Sequence, residues 1–171
     1  MAKGVTVITS ILTASLILSA PFGDVLYPKQ WHLENKGQIV QKDVSELSMQ
    51  LKAGKVGADL NFVKVDSSFF KKEQVIVAVI DSGIDVNHPD LVGRIVPGAN
   101  LLDGSSDVTD DTGHGTHVAG IIAANWNDLG VAGIAPDKVK IMPLKVVSNQ
   151  TNDFIYKDRV LTDYFADAII F

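Results

Sequence analysis

The sequence predicts an α/β fold built on a doubly wound, mostly parallel sheet, on three observations. The run Val75, Ile76, Val77, Ala78, Val79, Ile80 is apolar without alternation, the pattern of a strand covered on both faces in a parallel sheet. It ends at Asp81, followed by the turn pair Ser82-Gly83; an acid at the carboxyl end of such a strand stands where open α/β sheets place their ligands. From His114 to Ala124 the chain reads as a helix whose small residues Ala119, Gly120, Ala123 and Ala124 permit close packing on a sheet.

Gly115 and Gly120 each cost about 1 kcal/mol relative to alanine inside an ordinary helix, so their use against propensity marks a site. His114 falls in the first turn, where unpaired N–H groups and the positive dipole end disfavour an imidazolium unless a carboxylate compensates. Asp81 is the carboxylate expected to do so.

The bulk properties narrow the class. With 171 residues, 46% hydrophobic content and a net charge of −5, the chain can hold one globular domain and does not read as a nucleic-acid binder. It has no cysteine, which excludes disulfides and zinc-thiolate sites without identifying the compartment. Met1 to Ala20 has Lys3 near its start, an almost uncharged run from Val5 to Leu18, and Ser19-Ala20 at its end. This resembles a secretory signal peptide and implies a secreted or cell-envelope protein; the run is too short for a stable membrane span. Leu18 and Pro21 depart from the usual cleavage pattern. Residues 21–171 show no repeat or low-complexity linker and are expected to form one unit.

Within that unit, Trp31 and Leu33 are expected to pack on the body, and Asn35-Lys36-Gly37-Gln38 reads as a turn. Val44 to Leu51 has helical spacing with Asp43 as a cap, ended by Gly54 and Gly57. Lys71-Lys72-Glu73 reads as a solvated turn before the central strand at Val75. Leu101 to Asp111 is a polar loop whose Asp103, Asp107, Asp110 and Asp111 are either simply solvated or grouped around a hard cation. Val139 to Leu144 reads as a second strand, although Pro143 argues for a strand end or bulge. Asn149 to Asp158 is a polar loop. From a cap at Asp158, the residues Val160, Leu161, Tyr164, Phe165, Ala168 and Ile169 are spaced as an amphipathic helix. No Gly, Asn or Pro stops it before Phe171, so the sequence is expected to end inside an element.

Val79-Ile80-Asp81-Ser82-Gly83-Ile84-Asp85, His88-Pro89-Asp90-Leu91 and His114-Gly115-Thr116-His117-Val118-Ala119-Gly120 resemble the aspartate and histidine motifs of the subtilisin-like serine proteases. Gly130-Val131-Ala132-Gly133-Ile134-Ala135-Pro136 and Ile141-Met142-Pro143-Leu144-Lys145-Val146 continue the resemblance in order. Asp24 to Leu33 is similar to the mature start of kexin-like and related bacterial members. The resemblance implies a subtilisin-type sheet, incomplete on its C-terminal side, in a serine endopeptidase acting on proteins or peptides. Subtilisin orders its triad Asp, His, Ser, with about 32 residues from acid to base and about 157 from base to nucleophile. The first interval is 33 here, from 81 to 114. The second would put the serine at about position 271. No Gly-Thr-Ser-Met-Ala-like segment occurs, and the family's oxyanion asparagine would also fall after Phe171. These 171 residues are therefore expected to be an N-terminal portion, inactive alone, with no space for a prodomain between leader and Asp24.

The resemblance implies a role for each matching residue. Asp81 orients the base and His114 is the base; Asp85 and His117 are weaker candidates, and Ser82 matches a position that is not the nucleophile. Asn125 to Val131 resembles the family's strong calcium loop, with Asn127 giving a side-chain oxygen, Asn125, Leu129 and Val131 giving carbonyls, and Asp24 and Asp90 giving carboxylates. Six to eight such oxygens suit Ca²⁺. Two further classes compete: a metal-dependent hydrolase using His114 and His117 with Asp110 or Asp111, which lacks the His-Glu-x-x-His arrangement, and a non-catalytic binding protein derived from the family. The resemblance implies no oligomeric state.

Overall fold

The structure is a computed structural model that describes residues 23–41, 51–62, 73–149, 155–156 and 159–170. Its centre is a three-stranded parallel sheet. Strand β3 (Val75–Asp81) pairs with β5 (Val139–Lys145) over its whole length, from Val75 opposite Val139 to Asp81 opposite Lys145. The short β4 (Ala99–Asn100) lies on the far side of β5, opposite Leu144 and Lys145. Two antiparallel pairs flank this sheet in sequence: β1 (Ile39–Gln41) with β2 (Leu51–Ala53), and β6 (Ile155–Tyr156) with β7 (Arg159–Val160). Helix α1 (His114–Ala123) precedes β5, and α2 (Leu161–Ile170) ends the described chain.

Each face of the parallel sheet carries a buried cluster. On one, Val79, Ile84, Leu91, Ala119, Ala123 and Ile141 form a buried cluster, so the small residues of α1 do allow the helix to sit close to the strands. On the other, Leu144, Val146 and Leu102 pack with Tyr164 and Ala168 of α2. Fully burying a Val, Leu or Ile side chain is worth about 1.5–3 kcal/mol, so these two layers hold the three strands between two helices. Among the described residues no helix is long and apolar enough to cross a membrane.

Several local expectations change. Among the described residues β5 lies between β3 and β4, and Val75 and Ile76 at the start of β3 are each 58% exposed. Pro143 lies inside β5 without ending it. Alternate residues of a parallel strand point their N–H groups to opposite sides, and the Ile141 N–H donates to the Arg94 carbonyl on the β4 side. The missing donor of Pro143 therefore faces the gap between the Ile95–Ile141 bridge and β4, and costs the ladder to β3 nothing. Leu51 belongs to β2; the rest of the helix expected from Asp43 to Leu51 lies outside the described residues. So do the leader at 1–20, Lys71-Lys72, and Asp158, the expected cap. α2 starts at Leu161 after Val160 has paired in β7, within what reads in sequence as a continuous loop and helix. Its packed face is Tyr164 and Ala168, one turn apart, while Phe165 and Ile169 are exposed. Leu33 is fully buried as expected, but Trp31 is 46% exposed.

Candidate active site

The last residue of β3 and the first of α1 meet. The Nδ1 atom of His114 lies 2.8 Å from Oδ1 and 2.9 Å from Oδ2 of Asp81. The Ser82 N–H also donates to Asp81 Oδ1, at 2.7 Å, which fixes the carboxylate on its own turn. With the acid ionised, Nδ1 must carry the hydrogen, leaving Nε2 as a proton acceptor. The Asp81 side chain is only 17% exposed while that of His114 is 71% exposed, so the pair buries its carboxylate and presents the imidazole. The hydrogen bond to Asp81, then that carboxylate's charge, with Asp110 adding to it, raise the His114 pKa above its ordinary value. The compensation expected at the helix start is thus present.

The start of α1 is capped from outside. Its N-cap is Gly113, at φ +84°, which offers no side chain. The N–H of Gly115 donates instead to Ser82 Oγ at 3.0 Å, that of Thr116 to Asp110 Oδ2 at 2.9 Å, and that of His114 to Thr112 Oγ1 at 3.2 Å. Asp110 Oδ1 accepts from Ser82 Oγ at 2.8 Å and from the Gly113 N–H at 2.9 Å. Burial alone would push the Asp110 carboxyl up, but the bonds from Thr116, Ser82 and Thr112 outweigh it and hold it well below the usual carboxylate range. The sequence places Asp110 in a solvated or cation-binding loop, or as a metal ligand beside His114 and His117, and not as a helix cap. An acid three residues before a glycine that opens a helix was the available signal.

The remaining acids and histidines do not join the pair. Asp85 is exposed; its N–H donates to Thr116 Oγ1 and its carboxylate accepts from the Asn87 N–H. Ser82 is 1% exposed with its hydroxyl donating to Asp110, so it is not available as a nucleophile. Asp111 accepts from the Asn149 N–H and pairs with Lys145 Nζ at 3.5 Å. Asp103 and Asp107 each accept a backbone N–H two residues on, and the Thr109 bonds hold Asp107 below its ordinary pKa. Among the described residues no three His, Cys, Asp or Glu stand close enough to hold a metal. The acids of the Asp103–Asp111 loop are engaged in local hydrogen bonds or with Lys145.

A second constellation lies at the other end of α1, where the loop after Ala124 runs back past two acids. Asp24 Oδ1 accepts the Asn127 N–H at 3.1 Å and Asp90 Oδ2 accepts the Val131 N–H at 3.0 Å. Both acids are buried, at 2% and 3% exposure, and each keeps a second oxygen, Asp24 Oδ2 and Asp90 Oδ1, buried with no hydrogen-bond partner. Burial pushes the Asp90 carboxyl up against the Val131 hydrogen bond, and the charge of Asp24 adds to that push. The turn needs its glycine: a Cβ on Gly130 would stand 2.3 Å from Asp90 Oδ2. Asn127 Oδ1 accepts the Leu129 N–H at 3.0 Å. The Asn125 side chain is held by Arg94 and by the Val92 carbonyl, so only its backbone oxygen remains for a ligand role. Two orphaned carboxylate oxygens and a polar loop form a donor set that suits a hard cation.

Residues 72–161, more than half of the chain, match the subtilase family model. The chain belongs to the subtilase family. This subtilase is 39% identical over 120 residues to the extracellular serine protease of Aeromonas sobria, a match covering 68% of the chain and 18% of that protein. It is 42% identical over 91 residues to the major intracellular serine protease of Bacillus subtilis, covering 51% of the chain and 28% of the relative. The crystal structure of the Aeromonas sobria serine protease in complex with a chaperone superposes with a TM-score of 0.65 at 31% identity, over 86% of this chain and 23% of that one. The subtilase thus spans less than a third of the length of each of these relatives.

Proposed function

We propose that this chain supplies the acid and the base of a serine endopeptidase. The observation that carries the reading is the contact of Asp81 with His114 Nδ1, which leaves Nε2 on an exposed ring. A serine hydroxyl is a weak nucleophile at neutral pH. In this reading His114 Nε2 takes its proton as the oxygen attacks a peptide carbonyl and returns it to the leaving amine, while Asp81 fixes the tautomer and stabilises the imidazolium. The serine and the oxyanion donors are expected C-terminal to these residues, so the 171-residue chain is read as inactive alone. Proteins or peptides are the substrate class.

The calcium reading rests on Asp24 and Asp90. Their orphaned oxygens, the Asn127 side chain and the carbonyls of Asn125, Leu129 and Val131 would hold Ca²⁺, which would offset the cost of leaving those buried oxygens unpaired. Export rests on the leader, since the relatives include both an extracellular and an intracellular protease.

The test uses the full-length protein with a fluorophosphonate probe and a peptide substrate. One serine should be labelled and peptide cleaved, both lost in His114→Ala, while Asp81→Asn should lower kcat by roughly 10⁴-fold, as loss of the triad acid does in subtilisin. A folded full-length protein that neither labels nor cleaves would instead be a non-catalytic binding protein of this family.

A further inference from the structure

Asp81 and His114 belong to different elements, 33 residues apart, and a hydrogen bond of 2.8 Å does not by itself hold a strand end to a helix start. Ser82 and Asp110 do. Ser82 uses its N–H to fix Asp81 Oδ1 and its Oγ to receive the Gly115 N–H, one residue past His114. That same Oγ donates its hydrogen to Asp110 Oδ1, and Asp110 Oδ2 takes both the N–H and the hydroxyl of Thr116, at 2.9 and 2.6 Å. Thr116 Oγ1 in turn accepts the Asp85 N–H at 2.9 Å. The turn carrying Asp81 is therefore tied to the first turn of α1 at both ends, with Asp110 bonded to each side. Lys145 Nζ, at the end of the neighbouring strand, donates to the Thr109 carbonyl and anchors the loop that presents Asp110.

We propose that Asp110, acting through Ser82, is a positioning residue that sets the Asp81–His114 geometry. The inference rests on the reading of Asp81 and His114 as acid and base. A helix cap alone would need only the bonds to Thr116 and Gly113; the bond to Ser82 reaches across to the strand turn and gives the cap a second consequence. Removing it frees the two elements to shift relative to each other, and small displacements of a reacting pair are costly to rate while leaving substrate binding intact.

The experiment uses the full-length protein labelled with ¹⁵N-histidine, comparing wild type, Ser82→Ala and Asp110→Asn. Ser82→Ala removes the tie without changing any charge, and so separates positioning from the field of Asp110. In wild type the neutral His114 should be the Nδ1–H tautomer. Ser82→Ala should shift it to a mixture with Nε2–H and lower kcat roughly ten- to a hundredfold at unchanged KM. If Ser82→Ala does not fold, Asp110→Asn reads the same tautomer. Folded variants that keep the wild-type tautomer and kcat, with only a lower melting temperature, would make Asp110 a helix cap and nothing more. A wild-type His114 already in the Nε2–H tautomer would overturn the Asp81–His114 pair itself, and the proposal with it.

Discussion

The carbonyl oxygen of Gly83 lies 2.1 Å from the point where a Cβ on Gly115 would stand. The turn after Asp81 and the helix start after Asp110 therefore approach with no room for a methyl group between them, and Asp81 Cβ is itself 3.2 Å from the same point. A glycine that propensity disfavours is here a requirement of close approach.

Gly115→Ala is accordingly expected to force the two backbones apart and to destabilise the fold by about 1–3 kcal/mol, the usual range for overpacking. Gly120 is the control. A Cβ there would meet Val131 Cγ2 at 3.7 Å, an ordinary contact, so Gly120→Ala should be neutral or stabilise by up to about 1 kcal/mol. Denaturant midpoints for the two variants decide the matter, and equal losses would refute it.

The pH dependence of the pair has a definite sign. The folded-state pKa of His114 is raised, chiefly by the hydrogen bond to Asp81. Its contribution to stability is then fully present below the unfolded value of about 6.5 and lost as pH rises through the folded value. Asp110 runs the other way: its lowered pKa gives a contribution present above the ordinary carboxylate value and lost as pH falls through the folded one. The titration of the His114 ring by proton NMR should fall toward the ordinary value in Asp81→Asn. The destabilisation caused by Asp110→Asn should shrink in strong acid. A His114 titration indifferent to Asp81→Asn would contradict the assignment of the shift.

Calcium should protect the folded protein. Binding that excludes the unfolded chain stabilises by about 2.7 kcal/mol when free ion is one hundred times its dissociation constant. Asp90→Ala should remove most of that protection, since Asp90 is buried and bonded to the same loop. The same melting temperature in chelator and in excess calcium would end the calcium reading.

The 171-residue chain alone should not react with fluorophosphonate. Ser82 is buried and bonded to Asp110 and Gly115, and Ser105 and Ser106 lie in the exposed loop before Asp107. Intact-mass analysis after probe treatment reads the result directly. Stoichiometric labelling that disappears in His114→Ala would place a nucleophile inside these residues.

Which features were legible in the sequence follows from how each is encoded. Helix α1, the strands at Val75 and Val139, and the acid and histidine at their ends are written in local pattern: apolar runs, small residues at helical spacing, and a motif at a fixed interval. Asp24 and Asp90 were legible only through resemblance, because two separated acids carry no pattern of their own. Of the helix expected from Val44 to Leu51 only Leu51 lies among the described residues, where it pairs with Gln41.

By itself the sequence determined the α/β class, the elements that carry Asp81 and His114, and membership of a protease family. The tertiary structure decided that β5 pairs with both β3 and β4, that Pro143 faces a gap, that Tyr164 and Ala168 rather than Phe165 and Ile169 form the packed side of α2, and that Ser82 and Asp110 join strand to helix. The physical reason is the same in each case. Periodicity reports whether a residue faces an interior, while the identity of the neighbour across that interior depends on contacts between distant segments, such as the 28 residues separating Ser82 from Asp110.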